Sequence, residues 1–242
     1  MNELFDSKYG RLVRAAAAEF IGTTVLVMFG CGSCALGKAT VQTALAFGLT
    51  LMSLIAALGP LSGCHVNPAV TVGLLIDGKV DIISAVAYVV VQVLGSLAGA
   101  GLLYAVLPKN PDLLGVEYVV EYGICHCELS IGVSWWKGII IEFVITFLFV
   151  LVICTVAESN LCPAPIIGLA LTAGHLFAVP LTGASMNTAR AFGPAVIKNK
   201  WKDHYVYWVG PLIGGGLAGV VHRFLYTGAD GDGGQKPKSV QN

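Results

Sequence analysis

Ser62-Gly63-Cys64-His65-Val66-Asn67-Pro68-Ala69 and Thr182-Gly183-Ala184-Ser185-Met186-Asn187-Thr188-Ala189 are the two stretches that decide the fold. In each, an Asn follows a Gly by four residues and opens a short apolar run. The runs, residues 70–76 and 191–197, are too short to cross a bilayer. A helix rises about 1.5 Å per residue against a hydrocarbon core of about 30 Å, so each run reaches roughly a third of the way. They read as half-helices entering from opposite faces. Non-helical backbone at that depth is tolerated only where it lines a cavity or is buried in protein, which argues for a pore.

Outward from these stretches the chain repeats itself. Ala18-Glu19-Phe20 opens the first half and Ile141-Glu142-Phe143 the second. The two Glu stand 123 positions apart and the two Asn 120 apart, in the same order. Each half holds three candidate spans. Three is odd, so the halves sit in opposite orientations, as an inverted repeat.

The spans come from composition. Of 242 residues, 56% are hydrophobic and 12% charged, against about 25% charged in a soluble domain. Residues 39–58, 82–107 and 205–221 carry no charge. Residues 12–36 carry Arg14 near their start and Glu19, and residues 138–157 carry Glu142. Residues 159–189 have His175 as their one titratable side chain outside the cysteines. The expected fold is therefore an all-α membrane protein with six transmembrane helices and two re-entrant half-helices. Residues 1–10 form an N-terminal tail, 11–227 a channel domain with repeats at about 11–107 and 135–227, and 228–242 a polar, disordered C-terminal tail.

A net charge of zero gives no support to a nucleic-acid partner. Lys8, Arg11 and Arg14 in the N-terminal region and Arg223, Lys236 and Lys238 near the other end favour a cytoplasmic location for both termini. Asp112, Glu117, Glu121 and Glu128 then lie outside, together with Lys198, Lys200 and Lys202, which run against the rule. The first span is too long for a cleaved signal peptide and reads as an uncleaved anchor. Cys125-His126-Cys127 holds metal-ligand types, but no further ligands follow at zinc-site spacing, so no metal is expected. No Asn-x-Ser/Thr acceptor occurs. No nucleotide loop or Ser-His-Asp arrangement appears, so neither an enzyme nor a cofactor is expected.

Asn67 and Asn187 stand at N-cap positions. There an amide oxygen can accept a backbone N–H while the amide nitrogen donates into a pore. Pro68 suits a first helical turn, where its missing N–H costs nothing. Two half-helix N-termini meeting at mid-membrane would raise a positive ridge against cations and hydronium.

Taken together, these motifs resemble the aquaporin (major intrinsic protein) family over residues 11–226. His65-Val66-Asn67-Pro68-Ala69-Val70-Thr71 is similar to its first signature, and Asn187-Thr188-Ala189-Arg190-Ala191-Phe192-Gly193-Pro194 to its second. Thr188 departs from the usual Pro. The resemblance implies a narrow selectivity filter at Phe47, His175, Ala184 and Arg190, which stand at the family's distances from the two Asn. It implies that Glu19 and Glu142 support the re-entrant loops; as intramembrane carboxylates alone they would also be relay candidates. His175, Ala191 after the Arg, and Tyr207-Trp208 follow the water-selective pattern rather than the glycerol one. The implied function is a passive, osmotically driven, water-selective channel that excludes protons and ions. The resemblance also implies a homotetramer with one pore per subunit, and the expected location is the plasma membrane. A channel for glycerol, urea or hydrogen peroxide, or a weakly conducting structural or adhesion member, is the alternative. Cys64, three before Asn67, is expected to face the pore as a mercurial site. Gly95 with Gly99, and Gly215 with Gly219, allow close helix crossings.

Overall fold

In a computed structural model, the structure describes residues 7–37, 40–107, 124–157, 159 and 161–226. The expectations for Asp112, Glu117, Glu121, the 228–242 tail and its lysines fall outside the described residues. Among the described residues eight helices run in order: α1 (Lys8–Gly37), α2 (Thr40–Ser62), α3 (Pro68–Ile76), α4 (Ile82–Val106), α5 (Trp135–Val156), α6 (Pro163–Thr182), α7 (Thr188–Lys198) and α8 (Val206–Leu225). Five of them, α1, α2, α4, α5 and α6, are long and apolar enough to cross a membrane. The sixth long helix, α8, has 20 residues, but its glycines, Pro211, His222 and Arg223 dilute its apolar character.

The packing obeys the inverted repeat. Helix α1 lies on α4 and α2, as α5 lies on α8 and α6. The half-helix of each half packs on the last long helix of the other, α3 on α8 and α7 on α4, and α2 meets α6 at the centre. Small residues permit these approaches. A Cβ at Gly95 or Gly99 would run into the carbonyls of Phe20 and Thr24 on α1. One at Gly215 or Gly219 would run into those of Ala69 and Gly73 on α3. Without a hydrophobic drive between helices in lipid, such close contact supplies the association energy.

One sequence boundary is corrected. The fifth candidate span, residues 159–189, is cut: α6 stops at Thr182, where Gly183 turns into the left-handed region with φ 79°. Glycine takes that conformation without a Cβ penalty. Helix α1 begins at Lys8, with the Ser7 hydroxyl accepting the Gly10 N–H at 3.0 Å.

Candidate functional site

The loops that feed α3 and α7 superimpose in kind. Gly63, Cys64 and Val66 have φ of 83°, 52° and 44°, and Gly183, Ala184 and Met186 have 79°, 47° and 51°. A chain of left-handed residues cannot satisfy its own N–H groups, so a partner must come from elsewhere. Glu19 and Glu142, both fully buried, are those partners. Glu19 accepts the His65 and Val66 N–H at 2.8 and 2.6 Å, the Ser62 hydroxyl at 2.6 Å and the Gln92 amide at 2.8 Å. Glu142 accepts the Ser185 and Met186 N–H at 2.9 and 2.8 Å and the Thr182 hydroxyl at 2.6 Å. Each carboxylate sits one helix away from the loop it holds.

Loops held this way bring the two N-caps together. Asn67 donates its amide to the Met186 carbonyl, and Asn187 donates to the Val66 carbonyl, both at 2.7 Å. The amide oxygen of Asn67 accepts Ala69 N–H at 2.9 Å, and that of Asn187 accepts Arg190 N–H at 3.1 Å. Each amide therefore caps its own half-helix and reaches across to the other loop. Thr188 begins α7 with its Oγ1 buried and without a hydrogen-bond partner among the described residues. The cap geometry barely changes, with Asn φ of −161° at α3 and −152° at α7, while the capping bond moves from the second helical residue to the third. Pro68 and Ala69, like Ala189, are buried in the helix starts.

Above the Asn pair three filter candidates meet. Phe47 and His175 stack with ring centroids 4.5 Å apart, and the Arg190 guanidinium lies 5.1 Å over the Phe47 ring. His175 Nδ1 is taken by the Leu171 carbonyl at 3.0 Å. Its Nε2 and the Arg190 Nε are buried with no protein partner among the described residues. Ala184 is fully buried beside Ser185, and Ser185 rather than Ala184 contributes to the cavity wall. That cavity is lined by Phe47, His175, Arg190, both Asn and His65, with about 10 Å³ of room for water, roughly the space one molecule needs.

Below it the passage continues. His65 borders the narrow cavity, a second one that Cys64 helps to line, and a wider vestibule of about 500 Å³ bounded by Gly59, Lys79 and Cys162. Cys64 thus sits beneath the Asn pair. Helix α3 ends at Asp77, which pairs with His222 at 2.9 Å and Lys79 at 3.1 Å. Burial alone would raise the Asp77 carboxyl, but hydrogen bonds from His222 and Lys79 outweigh it and hold it below its ordinary value. Cys154 joins Asp77 and His222 within 4.8 Å, a set of metal-ligand types. The Lys79 ammonium already holds the cation position there, so the cluster reads as an ion-pair network.

Sequence reading missed one covalent feature. Cys34, near the end of α1, forms a disulfide with Cys125. Within Cys125-His126-Cys127, Cys125 is bonded to Cys34, His126 pairs with Glu128, and the sulfurs of Cys125 and Cys127 both lie against the Arg190 guanidinium. The buried Arg190 guanidinium requires acceptors, which is a signal for a supporting segment but not for the disulfide.

Residues 7–222 match the family model described as Major intrinsic protein. The lens fiber major intrinsic protein of Oryctolagus cuniculus is 41% identical over 221 residues, covering 88% of this chain and 81% of that protein. Aquaporin-5 of Homo sapiens is 38% identical over 223 residues, with the same two coverages. The X-ray structure of the aquaglyceroporin from Plasmodium falciparum aligns with a TM-score of 0.76 at 24% identity, covering 88% of this chain and 96% of that one. At that identity the likeness speaks for the fold alone.

Proposed function

Because the chain belongs to the major intrinsic protein (aquaporin) family, whose members are membrane channels and not enzymes, we propose that it is a water-selective pore that excludes glycerol, ions and protons. The observation that carries this reading is the contact of Phe47, His175 and Arg190 around a space of single-water size. A polyol wider than water meets an aromatic wall on one side and two fixed polar groups on the other. Water offers both a donor and an acceptor to His175 Nε2 and Arg190 Nε while passing. A cation meets the permanent guanidinium charge.

Proton exclusion is assigned to the Asn pair. The N-termini of α3 and α7 point at the passage with their positive dipole ends. Asn67 and Asn187 present amide hydrogens there, so a water held by both turns its own hydrogens outward along the file. A chain of waters oriented away from its centre does not relay a proton across it. The same positive ends oppose hydronium.

The termini are assigned to the cytoplasm, and the membrane to the plasma membrane. Cys34 lies at the opposite end of α1 from Lys8, and its disulfide to Cys125 belongs on the oxidising side. Antibody labelling of a C-terminal tag in intact cells would reverse the orientation. The outer helix faces expose Phe29, Leu49, Leu148 and Phe177. They are suited to lipid and to neighbouring copies in a homotetramer; native mass spectrometry returning only monomers would remove the assembly from the account.

Selectivity is tested in proteoliposomes by glycerol uptake and by dye-reported proton leak, beside osmotic water flow. The expected result is water flow with glycerol and proton rates at the level of protein-free vesicles. Glycerol uptake well above that level would replace the reading with a small-solute channel.

A further inference from the structure

Arg190 is held by residues 125–130, which are not helical. Its Nη1 donates to the Cys125 carbonyl at 3.2 Å and to Cys127 Sγ at 2.7 Å. Its Nη2 reaches Cys125 Sγ and the Gly183 carbonyl, both at 3.5 Å. Three of these four acceptor atoms belong to Cys125 and Cys127. The segment is fixed at two points. At one end Cys125 is covalently tied to Cys34 on α1, 91 positions earlier in the chain. At the other, Ser130 donates its N–H to the Leu181 carbonyl at 2.9 Å and its hydroxyl to the Pro180 carbonyl at 2.7 Å, at the end of α6. The disulfide therefore joins α1 to the segment whose other anchor is the helix that carries His175.

We infer that the Cys34–Cys125 disulfide is a specificity determinant: by fixing the Cys125 carbonyl and the Cys127 sulfur, it holds Arg190 across from His175 and so sets the width of the narrow ring. The inference rests on the water-selective reading above. Its physical basis is the freedom of a long side chain. An arginine carries about 2 kcal/mol of rotamer entropy and keeps one geometry only where rigid acceptors meet its planar fork. Cutting the covalent tie releases the acceptors first and the guanidinium with them. Cys34 and Cys125 are positioning residues; neither side chain needs to touch the permeant.

The test compares proteoliposomes of untreated protein, of protein reduced with dithiothreitol, and of the Cys34→Ser/Cys125→Ser double variant. In the reduction both dithiothreitol thiols are oxidised to its cyclic disulfide while Cys34 and Cys125 each gain a hydrogen. Alkylation of two additional cysteines verifies it. The glycerol-to-water permeability ratio is expected to rise by at least about fivefold in both reduced and double-variant protein, the scale of one loosened hydrogen-bond set. Dithiothreitol should add nothing to the double variant. Should that variant not fold, the reduced protein carries the test alone.

A bridge with only a structural role would lower the thermal midpoint and leave the ratio unchanged, which overturns the inference. A rise on treating the double variant would move the effect to another thiol and overturn it as well. Glycerol flux already high in untreated protein would instead overturn the water-selective reading, and this inference with it.

Discussion

Vesicles carrying His175→Ala are expected to take up glycerol at least about tenfold faster than wild type, which is about 1.4 kcal/mol removed from the barrier. His175 is stacked on Phe47 and fixed through Nδ1 to the Leu171 carbonyl, so its ring occupies one side of the narrow cavity without freedom to swing away. Alanine keeps the helix, since it is the best helix former, and deletes the ring. The opening it leaves is bounded by Phe47 and Arg190 and is expected to admit a carbon chain with its hydroxyls toward the guanidinium. Water flow should remain within about threefold of wild type, because the Asn pair and Arg190 still line the path. Glycerol uptake at the wild-type rate, with the variant folded and conducting water, would place the narrowest point elsewhere.

Glu142→Leu is expected to remove folded protein almost entirely. The substitution leaves the Ser185 and Met186 N–H groups and the Thr182 hydroxyl without their acceptor, deep in the molecule. Each orphaned buried donor costs about 1–3 kcal/mol, so three cost about 3–9 kcal/mol. A whole domain is stable by only about 5–15 kcal/mol. Glu142→Gln retains one acceptor oxygen and should fall between Leu and wild type. The check is the yield of monodisperse protein after detergent extraction, read for wild type, Gln and Leu in parallel. A Leu variant recovered at the wild-type yield would mean that the loop before α7 holds its left-handed residues without help. Glu19, with its own loop donors and Gln92, should behave alike.

The architecture was legible because duplication writes each feature twice. One Asn after a Gly is a turn; two, 120 positions apart and each before a short apolar run, imply facing half-helices. Glu19 and Glu142 stood out for a related reason, since a carboxylate inside an apolar span must have partners. The partners themselves were not legible. They depend on Gly63 and Gly183 reversing the chain and on left-handed Val66 and Met186, a conformation that apolar side chains rarely announce. The end of α6 was blurred for the same cause, because residues 183–189 are as free of charge as the helix before them.

The narrow ring was reached from the sequence only through resemblance. Phe47 is an ordinary apolar residue of α2 and stands 128 positions from His175 in the chain. The support behind Arg190 was hidden more deeply. Cys125-His126-Cys127 has neither helical nor strand periodicity, and a cysteine's sequence surroundings do not say which partner it finds. Only the fold, which sets the end of α1 beside that segment, pairs Cys34 with Cys125.

The most direct test of the central claim is osmotic water flow through the purified protein, followed by stopped-flow light scattering after mixing proteoliposomes with sucrose. Shrinkage far faster than that of protein-free vesicles is expected, with a glycerol gradient then producing no re-swelling beyond the lipid background. Shrinkage at the lipid rate from vesicles that contain folded protein would contradict it.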